Sequence, residues 1–117
     1  MSQLQLYTGA DNYYAAMILQ HGEKPEDYLL AHELCIVAIS KREAKAKWLA
    51  AATEDRFLMM IGRPQRFATQ FKGENGIYRL YETDPGVTDD LRHALDVPSL
   101  AQAKAREAKM NQRNDHS

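Results

Sequence analysis

Two periods run along this chain. From about Asp11 to Ile61 apolar side chains recur every three to four residues, the spacing of helices. After Pro64 they alternate with polar ones, the spacing of strands. The first part predicts three helices. The first spans about Asp11 to Gln20, with Asp11 placed to cap its N-terminus and Gly22 to end it. The second opens with Pro25 and carries Glu26 and Asp27 in its first turn, where the macrodipole favours negative charge; it runs to about Ser40. The third begins near Arg42 or Glu43 and runs to Ile61, closed by Gly62. The connection Lys41-Arg42-Glu43 is short, so helices two and three should be antiparallel neighbours.

The alternating part, RFATQFK and IYRLYE around GENG, predicts a hairpin turning at Asn75-Gly76, both of which tolerate positive φ. That register sets Phe71 opposite Leu80 and Gln70 opposite Tyr81. Asp84-Pro85-Gly86 marks a loop, and Thr88 caps a short helix. Ser99 and Gln102 form a capping-box pattern for a last helix, whose apolar stripe is only Leu100 plus alanines. It is expected to be peripheral and frayed. The fold class expected is mainly α: a helical core of an antiparallel helix pair with flanking helices, and a β-hairpin in the C-terminal half. Residues 1–112 form one globular domain in this reading, and 113–117 a disordered tail.

Composition narrows the classes. A chain of 117 residues suits one domain with a real core. The formal net charge of -1 creates no global field toward nucleic acid or an anionic membrane. The basic stretch KAREAKMNQR is short and interrupted by Glu107. One cysteine, Cys35, excludes a disulfide within the chain and makes the cytoplasm the default compartment. The N-terminus has no secretory signal pattern, and YLLAHELCIVAI is too short and too polar to span a bilayer. His21, His32, His93 and His116 are scattered, and there is no HExxH, CxxC, glycine-rich phosphate loop or GxSxG. No metal, cofactor, nucleic-acid partner or membrane is expected, and no oligomeric state follows from the sequence.

The polar residues of the helical part carry the candidate chemistry. Helix two is apolar nearly all round, so it is expected at the centre of its domain. Tyr28, Leu29, Cys35, Ile36 and Ile39 share one face, with His32 buried among them. On helix three, Asp55 falls on the core side between Trp48 and Met59, with Arg56 at its edge. A buried carboxylate demands a partner. Folding the helical hairpin brings Asp55 and Arg56 level with Tyr28, and His32 about one turn nearer the loop. The end of helix three carries Gln65, Thr69 and Gln70 toward the N-terminus of helix two, which offers free N–H groups.

Two readings follow. In the first, His32, oriented by a hydrogen bond to Asp55, is an acid/base group; Tyr28, Arg56, Gln65, Thr69 and Gln70 bind a small anionic or peptide ligand. In the second, the buried pair is structural and the domain is a non-enzymatic interaction module, with Ile77, Tyr78 and Tyr81 contacting a protein partner. Arg56 then lays its stem on the core and sends its guanidinium to water. Cys35, Trp48, Met59 and Met60 are core filler in both.

The string DR…GRPQRFATQF also resembles a family of small bacterial domains of unknown function. Its signature is AH, then DR, then G-x-P-Q-x-(Phe/Tyr)-G-T-Q. The counterparts here are Ala31-His32, Asp55-Arg56, Gly62, Pro64, Gln65, Phe67, Thr69 and Gln70. The segment LYETDPGVTDDLRHAL…PSL is similar to the family's downstream part, so the likeness covers roughly residues 25–100. The resemblance implies one functional cluster of His32, Asp55, Arg56, Gln65, Thr69 and Gln70, and no named activity. Ala68 departs from it: the family has glycine there, which permits positive φ or close backbone approach.

Overall fold

The computed structural model of the chain describes residues 7–115; residues 1–6 and 116–117 lie outside it. The elements are α1 (Gly9–Leu19), α2 (Pro25–Ser40), α3 (Ala46–Met60), β1 (Phe71–Glu74), β2 (Ile77–Leu80), α4 (Asp89–Ala94) and α5 (Leu100–Asp115). The fold is mainly α, with a two-stranded antiparallel hairpin in its C-terminal half.

Local chemistry sets most boundaries. Thr8, not Asp11, caps α1: the Thr8 hydroxyl accepts the Asp11 N–H at 3.1 Å and the Asp11 carboxylate accepts the Thr8 N–H at 3.1 Å. Asp11 is thus the third residue of a capping box. Three helices end on a residue at positive φ whose N–H, and that of the next residue, reach back to the last carbonyls. Glycine fills this place only after α3, where Gly62 has φ 76°. Arg42 (φ 67°) fills it after α2 and Asp96 (φ 57°) after α4. The Arg42 turn also moves the start of α3 to Ala46, later than the periodicity gives, because Glu43 N donates back to Ala38 O at 3.0 Å.

The core between α1, α2 and α3 is made of small side chains: Ala16, Ala31, Cys35, Ala38, Ala46 and Ala50, with Leu49. Small residues at a contact let helix axes approach closely. That choice corrects the expected burial of α2. Its buried stripe is Ala31, Cys35 and Ala38, while Leu29, Leu30 and Ile36 are exposed. His32 is half-buried rather than buried, and Trp48 and Met60 are exposed rather than core filler.

A second apolar cluster, Ala51, Phe67, Val87 and Val97 with Leu95, joins α3 to the loops on either side of the hairpin and α4. The hairpin register is the expected one, Phe71 opposite Leu80, with Asn75 (φ 54°) and Gly76 (φ 79°) at the turn. After β2 the chain doubles back beside Gln65: Gln65 N donates to Glu82 O at 2.9 Å and Asp84 N to Gln65 O at 2.7 Å. Thr88 caps α4, and Ser99 with Gln102 forms the capping box of α5, as the sequence predicts. α5 is not a frayed appendage. Ala103 is buried, Arg106 stacks over the Phe71 ring at 5.5 Å, and the helix continues through Asp115.

Candidate functional site

Asp55 is fully buried on the core side of α3, as its position in the helical period requires. Its partner is not His32. Oδ1 accepts the N–H groups of Arg66 (2.8 Å) and Phe67 (3.0 Å); Oδ2 accepts the N–H (3.1 Å) and the hydroxyl (2.7 Å) of Thr69. The loop after Pro64 is therefore wrapped round one carboxylate, and its converging N–H groups form an anion nest whose anion is the chain's own side chain. Making that wrap takes Ala68 to φ 60°. A left-handed backbone is costly for any residue with a Cβ, by roughly 1–2 kcal/mol. Ala68 therefore holds this conformation with strain.

Gln65 is the second pin. It is fully buried beside the open end of the hairpin. Its Oε1 accepts Gln70 N at 3.0 Å, and its Nε2 donates to the carbonyls of Gln70 (3.1 Å) and Tyr81 (2.9 Å). The side-chain amide stands in for a peptide group between Gln70 and Tyr81 where the two chains part. Arg56 extends the network. Nε donates to Gln70 Oε1 at 3.0 Å and Nη1 to Gln20 O at 3.0 Å, on the C-cap of α1. Gln70 Nε2 donates in turn to Thr69 Oγ1 at 3.0 Å. Five of the seven predicted residues, Asp55, Arg56, Gln65, Thr69 and Gln70, thus lie in one connected region, but much of their hydrogen-bonding capacity is spent on one another.

His32 and Tyr28 are engaged elsewhere. His32 Nδ1 lies 2.7 Å from Ala50 O; a carbonyl only accepts, so Nδ1 carries the proton. Nε2 lies 3.7 Å from Glu54, which also meets Arg66 at 3.4 Å; Arg66 reaches Asp84 at 3.3 Å. This charge chain runs over the surface beside Asp55 without joining it. The expected dyad of His32 and Asp55 is therefore corrected: both rest on the core-side geometry of the helical pair, but the loop reaches the carboxylate first. The Tyr28 hydroxyl donates to Gly22 O at 2.7 Å. At the N-terminus of α2 the Asp27 carboxylate accepts Lys24 N at 3.2 Å, and Asp27 N donates to Lys24 O at 3.0 Å. A Cβ at Gly22 would stand 2.4 Å from that carboxylate, so glycine is required there.

Sequence reasoning missed Arg92, which is buried. Nη1 donates to Val87 O and Asp89 Oδ1, and Nη2 to Arg66 O, each at 3.1 Å. It locks α4 onto the loop that holds Asp55. Nothing in the pattern DDLRHAL separates it from an ordinary basic residue in a last turn. Asp89 continues the link by accepting Leu100 N at 3.0 Å. That N–H, with the Arg92 guanidinium, holds the Asp89 carboxyl below its ordinary range. Burial pushes the Cys35 thiol up to about 12, so it is an inert core group.

One open cleft, of about 430 Å³, borders this network. Tyr28, Arg56 and Gln70 line it, together with Met59, Met60, Phe71, Lys72 and Tyr81. His32, Asp55, Gln65 and Thr69 are not on its wall. The alternation after Pro64 contained a signal for Lys72 and Tyr81, because it puts both on the hairpin face of Gln70. The wall has two cations and no carboxylate. Nε and Nη1 of Arg56 are engaged, and Nη2 has no protein acceptor among the described residues.

No family model, no curated protein and no solved structure matches this chain. Among the described residues, no helix is long and apolar enough to cross a membrane, and no three His, Cys, Asp or Glu gather as a metal site would need.

Proposed function

We propose that this is a binding domain whose ligand, a carboxylate-bearing molecule or segment with an apolar body, occupies the cleft between the end of α3 and the hairpin. The observation that carries the reading is the wall: Arg56 and Lys72 beside Met59, Met60, Tyr28 and Tyr81, with no acidic residue among them. Arg56 is held at Nε and Nη1, so Nη2 meets an anion from a fixed position. The apolar side chains supply area that a bare anion leaves uncovered. The reading assigns no catalytic step, because His32 and Asp55 stand off the wall.

Titration of the labelled chain with 4-phenylbutyrate tests this by NMR. Shifts are expected at the Arg56 Nε–H, Gln70, Phe71 and Lys72, and Lys72→Glu should weaken binding roughly tenfold, about 1.4 kcal/mol. Equal shifts over all Lys and Arg residues, reproduced by sodium chloride at the same ionic strength, would overturn it.

A further inference from the structure

A two-stranded hairpin has two edges, and here they differ. In an antiparallel pair, hydrogen-bonded residue pairs alternate with pairs whose N–H and C=O groups point away from the partner strand. The two-residue turn makes Glu74 and Ile77 a bonded pair, and with them Lys72 and Arg79. Tyr81 N donating to Gln70 O at 3.2 Å continues that phase. The outward pairs are therefore Gly73 with Tyr78 and Phe71 with Leu80.

On β2 the outward groups are capped by α5. Tyr78 N donates to Asn111 Oδ1 at 2.8 Å, Asn111 Nδ2 donates to Tyr78 O at 2.9 Å, and Leu80 N donates to the Glu107 carboxylate. On β1 the outward groups belong to Phe71 and Gly73, and among the described residues they meet no protein donor or acceptor. An unpaired edge is a template for another strand. This edge begins on the wall of the cleft, where Gln70, Phe71 and Lys72 stand opposite Arg56, Met59 and Met60.

We propose, resting on the reading of the cleft given above, that β1 receives an extended acidic peptide as an added strand. Its backbone pairs with Phe71 and Gly73, and its alternate side chains enter the cleft. Those side chains are an apolar one against Met59 and Met60 and a carboxylate on Arg56 and Lys72. The charge of the wall selects this occupant over a second copy of the chain. Edge-to-edge pairing of two copies in which Phe71 of each meets Gly73 of the other centres on Lys72, sets Lys72 against its own counterpart and brings no carboxylate to Arg56 from the wall.

The test uses the full chain and the peptide Ac-Glu-Thr-Leu-Thr-Glu-NH2, whose two Glu and one Leu share a face when extended. Saturation is expected to slow amide exchange at Phe71 and Gly73 at least about tenfold. N-methylation of one alternating set of peptide amides should weaken binding more than about tenfold, and of the other set leave it unchanged. The strand is overturned, with the cleft reading intact, if peptide binding shifts Arg56 and Lys72 while exchange at Phe71 and Gly73 stays fast and both methylated peptides bind alike. Both fall together if neither this peptide nor 4-phenylbutyrate perturbs the cleft. Protection of Phe71 and Gly73 that rises with protein concentration alone would assign the edge to a second copy and overturn the peptide.

Discussion

Between α1, α2 and α3 the buried apolar contacts include Ala16, Ala31, Cys35, Ala38 and Ala50, which make no directional demand on their neighbours; of the buried polar residues there, Thr53 is bonded within its own helix and Asn12 accepts from Lys41. The segment after Gly62 is held instead by a carboxylate, an amide and a guanidinium, all buried: Asp55 from α3, Gln65 and Arg92. Helices satisfy their own backbone, so apolar packing is enough to join them. The chain from Pro64 to Gln70 has only the isolated bridge of Gln65 with Thr83, so its other buried N–H and C=O groups must be met by side chains. Asp55 and Gln65 supply those partners. A polar cluster next to a cleft is not for that reason a reactive site. Here it is the scaffold of an irregular segment, and the one guanidinium nitrogen it leaves over belongs to Arg56, which lines the cleft with Lys72.

Removing the first pin should have the greatest effect. Asp55→Leu strands three backbone N–H groups and a hydroxyl and should cost about 3–5 kcal/mol in a urea melt. Amide exchange should rise over 65–81 before it rises in α2. Adding His32→Leu should give a cost additive to within about 0.5 kcal/mol, because the two side chains share no bond. A large coupling between them would restore the dyad.

Gln65→Leu keeps the volume and removes the amide. It should cost about 2–4 kcal/mol, since Gln70 N and the Tyr81 carbonyl lose a buried partner. A loss below that of the conservative helical-half change Cys35→Ala, about 1 kcal/mol, would erase the contrast between the halves.

Ala68→Gly acts in the other direction. Relief of the left-handed strain at φ 60° should raise stability by about 1 kcal/mol, seen as a higher urea midpoint at unchanged slope.

The smallest effect is a pH limb. The Asp89 carboxyl titrates below its ordinary value in the folded chain. Its contribution is therefore complete above the ordinary carboxylate range and is lost as pH falls through the lowered value. Asp89→Asn should flatten that part of the acid limb in melts followed from neutral to acid pH.

Several features were legible along the chain because they are local. The helical and alternating periods, Gly62 as a stop, Asn75-Gly76 as a turn, and Ser99 with Gln102 as a cap each involve residues a few positions apart. The core-side placement of Asp55, and the meeting of Arg56 with Gln70, were legible for the same reason: they follow from helical spacing and a short chain path. The positive φ of Arg42, Ala68 and Asp96 was not legible, because residues that bear a Cβ enter that region only where surrounding contacts hold them there. Nor was the docking of α5, which depends on Asn111 and Glu107 finding the outward groups of a strand some thirty positions earlier. Helical spacing alone puts Asp55 on the core side of α3, where a carboxylate needs a partner. Only the tertiary structure decided that the partner is the loop and not His32. A carboxylate on a helix face binds whichever donors reach it, and the path of residues 66–69 brings backbone N–H groups there at no cost of side-chain ordering.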